Sequence, residues 1–151
     1  MTVQQNYVGK KIDLCVLETG SVEGEAPVNV AITDSGLVVA GPYKVVQKFV
    51  KYLLTSKGSV ASDTEYGSTF IIKLLGGHIS TSMGLLLEFY TDLPDILNYI
   101  KTSVLVPTAE ENLLKVVIEN FSVTPGSATM RLVFSFEDSS VITAPVNIST
   151  V

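Results

Sequence analysis

Two hydrophobic periods alternate along the chain, and the switches between them divide it into three stretches. In the first, Ile12, Leu14 and Val16 alternate with Asp13, Cys15 and Leu17, and after a loop over residues 20–27 the alternation resumes at Val28, Val30 and Ile32. A period of two is that of a strand with one face more apolar than the other. The turn signal Thr33-Asp34-Ser35-Gly36 and the short apolar run over residues 37–39 complete a small N-terminal β element.

The helical period takes over at Gly41-Pro42, where proline suits the first helical position because its φ is preset and its missing N–H has no helical partner there. Tyr43, Val46, Val50 and Leu53, with Phe49 and Leu54 beside them, then form one wide apolar face. Lys44, Gln47, Lys48 and Lys51 take the opposite face, which reads as solvated, with an acidic partner as the alternative. This helix is predicted to end near Thr55. A polar loop follows, carrying Lys57-Gly58 and Tyr66-Gly67, and leads into Phe70, Ile71, Leu74 and Leu75, a short helix closed by Gly76-Gly77. Met83, Leu86, Leu87 and Tyr90 fall at i, i+3, i+4 and i+7, predicting an amphipathic helix over residues 81–90. Asp92 reads as the N-cap of a further helix, with Pro94 and Asp95 in its first turn and Leu93, Ile96, Leu97, Ile100 and Val104 on its apolar side, ending before Pro107.

Beyond Pro107 the period of two returns. Leu114, Val116 and Ile118 alternate, Phe121 and Val123 continue on the other parity, and the change predicts a bulge or break at Glu119-Asn120. Thr124-Pro125-Gly126-Ser127 has proline and glycine where a type II turn wants them. Met130, Leu132, Phe134 and Phe136 make the clearest strand, and after a turn over residues 138–140 come Ile142, Ala144, Val146 and Ile148. Pro145 cannot donate to a ladder, so this last run is an edge strand or one whose N–H side faces outward. Strands, then helices, then an antiparallel meander give an α+β class.

Composition narrows the function. At 151 residues the chain suits one domain that needs neither disulfide nor metal to bury its core. Hydrophobic residues make up 46% and charged ones 17%, a balance that suits a large core or buried interfaces. A net charge of −5 with a single arginine, Arg131, argues against a nucleic-acid grip, which needs clustered cations. The lone Cys15 sits in an apolar alternation and reads as a buried small hydrophobe, consistent with cytosolic synthesis. The first residues lack the apolar core of a signal peptide, and no apolar run approaches the ~18 residues of a membrane span.

Candidate chemistry is sparse. His78 is the only histidine, so no zinc set can be completed around it, and a structural or solvent-exposed role follows. Patterns for acyl transfer, nucleotide hydrolysis or dinucleotide binding do not occur. Among carboxylates, Glu65, Glu88, Asp92, Asp95, Glu110 and Glu111 could supply the pair a glycosidase uses. Helix capping, however, accounts for Asp92 and Asp95, and a solvated loop for Glu110-Glu111. The expectation is therefore a non-enzyme with no catalytic residue, cofactor or metal; a carbohydrate (peptidoglycan) hydrolase and a generic virion binding module are the alternatives.

One stretch carries a resemblance. Residues 41–70 contain Gln47 within a helix, then Leu53-Leu54-Thr55, a Lys57-Gly58 turn, and Tyr66-Gly67-Ser68. In order and spacing these are similar to the small baseplate wedge family of contractile tails. Its members include the "lysozyme-like" wedge subunits of myophages and their relatives in type VI secretion and injection particles. The likeness extends over residues 37–148, with residues 1–36 an unmatched N-terminal β extension of a single domain. The family's glutamate-bearing turn falls on Glu110 or Glu111, but Asn112 stands where an arginine is customary and Pro107 is displaced, so the turn's usual salt bridge is not carried over. The resemblance implies a structural, non-enzymatic protein of the tail baseplate in the virion, assembled in the host cytoplasm. It also implies a hetero-oligomer with larger wedge subunits through a helical core bundle, and a β region like the sheath handshake that anchors the sheath protein by β-augmentation. Implied partner-binding residues are Tyr43, Val46, Gln47, Phe49, Val50, Leu53, Glu110, Glu111, Val141 and Val146, with Gly58, Tyr66 and Gly67 as structural turn residues. Neither nucleic acid nor membrane is an expected partner.

Overall fold

The computed structural model describes residues 12–14, 18–19, 28–29, 38–103 and 107–150, with residues 12–14, 18–19, 28–29 and 38–39 described as backbone. Cys15, the alternation at Val30 and Ile32, the turn at residues 33–36 and Val104 lie outside them. The element order is β1 (Ile12–Leu14), β2 (Glu18–Thr19), β3 (Val28–Asn29), β4 (Val38–Ala40), α1 (Pro42–Leu54), α2 (Phe70–Leu75), α3 (Ser82–Ser103), β5 (Leu113–Thr124), β6 (Ser127–Phe136) and β7 (Val141–Ser149). This is the α+β layout the two periods imply. The N-terminal strands form two antiparallel pairs, β1 with β4 and β2 with β3, and the last three form an antiparallel sheet in the order β5-β6-β7.

The sheet's inner face is made by Ala128, Met130, Leu132, Phe134 and Phe136 of β6, flanked by Val116 and Ile118 of β5 and by Ile142, Ala144 and Val146 of β7, all buried. Phe49 of α1 meets Phe134 edge to face at 5.1 Å, and Phe89 of α3 packs near Phe49 and Phe70 with centroids 6.3 Å away. Helix α1 thus lies between the sheet and α3. Eight of its residues, Lys44, Val45, Val46, Gln47, Phe49, Val50, Tyr52 and Leu53, are buried. They span most of its circumference, as expected of a helix enclosed by its neighbours.

That enclosure corrects the sequence reading of α1. Tyr43, expected on the apolar face, is 39% exposed, whereas Lys44 and Gln47, expected in solvent, are 5% and 3% exposed. The solvated stripe shrinks to half-buried Lys48 and exposed Lys51, because the chain before β5 folds over the first turn of the helix.

A second correction concerns the helices. The two expected over residues 81–104 are one continuous helix, α3, with Pro94 inside it. Leu85, Phe89, Ile96 and Ile100 form its buried side, a repeat that runs through the proline without a break. Met83, Leu87 and Tyr90, read as the apolar inward face, are instead exposed, and Leu86 is half-buried. Asp92 does not cap its own helix. Its carboxylate accepts the Phe70 N–H at 2.7 Å and the Thr69 hydroxyl at 2.9 Å, so it caps α2.

In β5 the break expected at Glu119-Asn120 is present as a register shift between Ile118 and Asn120. A further shift between Leu113 and Lys115 was not anticipated. It turns Leu113 into the core opposite Phe136 and leaves Leu114, expected inward, 61% exposed. The hairpin at Pro125-Gly126 and the position of β7 at the sheet edge follow the expectation.

Candidate functional site

The residues of the resemblance converge on the two ends of α1. At its C-terminal end the chain leaves the helix at Thr55, loops out, and returns at Ser68. The Ser68 N–H donates to Thr55 O at 2.8 Å, the Lys57 N–H donates to Ser68 O at 3.1 Å, and Ser56 and Ser68 form a parallel bridge. The Ser68 hydroxyl, itself 3% exposed, donates to Leu53 O, satisfying one of the carbonyls that a helix end leaves without an internal partner. Gly67 is what permits this closeness. Its φ is +105°, and a Cβ there would stand 2.5 Å from Thr55 O and 2.9 Å from Lys57 N. Gly58, with φ +83°, needs its freedom only for the turn, since a Cβ there would meet nothing nearer than 4.0 Å.

Tyr66 packs its ring against Tyr52 of α1 and Tyr99 of α3, with centroids 5.1 and 5.3 Å away, and Tyr52 and Tyr99 are 4.7 Å apart. This triad joins the returning loop to both helices. Burial, reinforced by the neighbouring Tyr99 and Tyr52 phenols, pushes the Tyr66 hydroxyl up to about 12. Lys57 and Glu65 close the outer side of the loop as an ion pair at 3.1 Å in which Glu65 is 82% exposed.

At the N-terminal end, α1 has neither an acidic residue in its first turn nor a side-chain cap. Negative charge is supplied from a distant part of the chain. A turn in which Glu111 and Asn112 donate their N–H groups to Thr108 O places two glutamates beside this end. The Glu110 carboxyl lies 3.4 Å from where a Cβ on Gly41 would stand, and Glu111 accepts from the Lys44 ammonium at 2.7 Å. Negative charge at this position complements the positive end of the helix dipole. Glu111 is therefore no part of a solvated loop: its side chain is 8% exposed and that of Lys44 6%. Asn112 donates to Glu137 at 2.8 Å, and the cation facing Glu111 is Lys44.

The remaining partner-binding candidates separate by burial. Val46, Phe49, Val50 and Leu53 face this chain's own core, as does Val146, whereas Val141 is 60% exposed on β7. Gln47 is buried, and among the described residues no buried side-chain polar atom lacks a partner. The carboxylates considered for catalysis are dispersed: Glu65 on Lys57, Glu88 on Lys73, Asp92 on the start of α2, Glu111 on Lys44. His78 is exposed. Among the described residues no three His, Cys, Asp or Glu side chains are grouped to hold a metal ion, and no helix is long and apolar enough to cross a membrane.

Sequence reasoning missed two surfaces. The first is the apolar stripe of Met83, Leu87 and Tyr90 on α3, 68%, 66% and 40% exposed. Its spacing was visible, but the choice of face was not. The second is an asymmetry between the sheet's edges. On β5, the outward Ile118 N–H donates to the Tyr90 hydroxyl at 3.4 Å and the outward Val123 N–H to the Ser82 hydroxyl at 3.3 Å, so α3 covers that edge. Their β6 partners Leu132 and Ala128 therefore turn their own N–H groups toward β7, where they pair with Ala144 and Ile148. The odd-numbered residues of β7 must then present their backbone outward. Pro145 falls on this parity, which is how a strand accommodates a residue without an N–H. The outward amides of β7 are those of Val141, Thr143, Asn147 and Ser149, and among the described residues no strand pairs with them.

No family model matches the chain, and no curated protein matches it.

Proposed function

We propose that this chain is a structural subunit of a contractile-tail baseplate wedge, joining larger wedge subunits through its helices and anchoring the sheath through its sheet. The observation that carries the reading is the convergence of Thr55, Lys57, Tyr66, Gly67 and Ser68 on one backbone crossing at the end of α1. A short sequence pattern gains weight when its members are joined in space, because the spacing then has a geometric cause.

Burial favours a different docking surface within that reading. Val46, Phe49, Val50 and Leu53 are spent on the internal core, so the wedge partner's helix is received by the Met83, Leu87 and Tyr90 stripe of α3. The β7 edge, with outward amides on either side of Pro145, is the acceptor for a sheath strand.

Co-expression with the larger wedge subunits tests this. The chain is expected to co-purify with them as a stable complex, and Leu87→Glu, at an exposed position, to abolish co-purification while leaving the circular dichroism unchanged. A chain that stays apart from every wedge subunit overturns the reading. Phe49→Asp could not make this distinction, since a fully buried position would lose the fold as well.

A further inference from the structure

Between the last turns of α3 and the turn that leads into β5 lies a cavity of about 290 Å³, walled by Leu97 and Ile100 of the helix and Leu113 of the strand. Lys101, Glu111 and Asn112 line it as well. Two acceptors open on this space. Oε1 of Glu111 accepts from Lys44 at 2.7 Å, but among the described residues no donor meets Oε2. Since no buried side-chain polar atom of the described residues lacks a partner, Oε2 reaches open space, and the open space that Glu111 borders is this cavity. The side chain that carries it is nonetheless only 8% exposed. Beside it, Asn112 donates through Nδ2 to Glu137, which leaves Oδ1 as an acceptor without a donor among the described residues.

Two acceptors, one of them anionic, beside apolar walls select a ligand that joins a charged donor to an apolar body. A primary ammonium has donors enough for both oxygens. Charge agrees with this choice. Lys44 balances Glu111, and of the remaining neighbours Glu110 beside Gly41 and Glu137 on Asn112 are opposed by Lys101, so these groups carry one negative charge in excess. Lys101, in the last turn of α3, also sets the ligand's other end. A second positive charge there would be repelled, whereas an uncharged end or a carboxylate would not.

We propose that this cavity is a binding site for an aliphatic primary ammonium compound. Glu111 and Asn112 hold the ammonium, Leu97, Ile100 and Leu113 enclose the chain, and Lys101 excludes a second positive charge at its far end. The site does not depend on the baseplate reading.

Titration of the full chain, followed by NMR at the backbone amides and the Asn112 side-chain amide, tests this. n-Pentylammonium and ε-aminocaproate are expected to shift the resonances of Ile100, Glu111, Asn112 and Leu113 with Kd on the order of a millimolar, in keeping with ligands of this size. Caproate is expected to leave them in place, and cadaverine, a dication, to bind roughly tenfold more weakly than n-pentylammonium. Lys101→Glu, at an exposed position, should make cadaverine the tighter of the two, a reversal that a damaged fold cannot produce. Glu111→Gln is expected to weaken n-pentylammonium roughly tenfold. Should that variant unfold with the loss of the Lys44 pair, Leu97→Phe narrows the cavity with the pair intact and is expected to weaken binding likewise. Nα-acetyl-lysine methylamide separates the two sources of such an ammonium: equal binding identifies a partner's lysine side chain and exclusion a free amine, and either upholds the site. Shifts spread equally over the exposed carboxylates Glu65 and Asp95, caproate binding as tightly as n-pentylammonium, or cadaverine indifferent to Lys101→Glu overturns the proposal.

Discussion

The two ends of α1 are fixed by different physics. At the N-terminal end a buried ion pair, Lys44 with Glu111, joins residues 67 positions apart in the chain. At the C-terminal end the attachment is backbone to backbone, through Thr55, Lys57 and Ser68, and is allowed by a glycine. The first end depends on which side chains are present, the second on which are absent. The first is therefore exposed to any substitution that removes one charge, and the second to any that adds a carbon.

The strongest way to break the comparison is at the charged end. Glu111→Ala removes the carboxylate that the buried Lys44 ammonium meets at 2.7 Å and is expected to cost about 3–5 kcal/mol in urea unfolding. The double variant Lys44→Met, Glu111→Leu should recover most of that loss, because an apolar pair of similar volume avoids desolvating two charges. If the single variant loses less than about 1 kcal/mol, the range typical of exposed pairs, the ion pair does not hold this end.

Next in size is Gly67→Ala. Positive φ costs ~1–2 kcal/mol for a residue with a Cβ, and the 2.5 Å approach to Thr55 O adds overpacking, for an expected loss of about 2–4 kcal/mol. Gly58→Ala sharpens the contrast. It shares the positive φ but not the crowding, so a loss of about 1 kcal/mol is expected. Equal losses at the two glycines would show that strain, and not the backbone crossing, dominates at Gly67.

The smallest effect is in pH. The Tyr66 phenol stands at about 12 in the fold against an ordinary value of 10.0. The fold thus favours its neutral form, and the resulting stability is fully present below pH 10 and lost as the pH rises through 12. Burial raises Tyr52 and Tyr99 as well, so an ultraviolet phenolate titration should show several late-ionising tyrosines, of which the component near pH 12 disappears in Tyr66→Phe; its persistence in that variant would assign it elsewhere.

The legible parts of the chain were those whose cause is local. Pro42 marks the start of α1, Gly58 and Gly67 mark turns and both have positive φ, and Pro145 marks β7 as an edge. The burial of Lys44 is not legible, because a lysine on an amphipathic helix is ordinarily solvated and Glu111 lies 67 positions away, beyond any window of periodicity. Asp92-Leu93-Pro94-Asp95 has the form of a helix start, yet Asp92 is bonded to residues 22 and 23 positions earlier. Leu114 was assigned inward by parity, and a register shift one residue away reversed it. The α3 stripe and the covered β5 edge arise from which side of a helix the rest of the molecule leaves open, and no local pattern carries that information.

The capping of α2 by Asp92 bears on the order in which the molecule assembles. A six-residue helix cannot persist alone in water, since nucleation costs more than so short a run returns. Its first N–H rests on a carboxylate from the middle of α3, so α2 becomes helical only after α3 is in place. It therefore belongs to the late side of the folding barrier. Ile72→Gly, at an exposed position in α2, is expected to speed unfolding while leaving the refolding limb of the chevron nearly unchanged. A slowed refolding limb would place α2 in the nucleus instead.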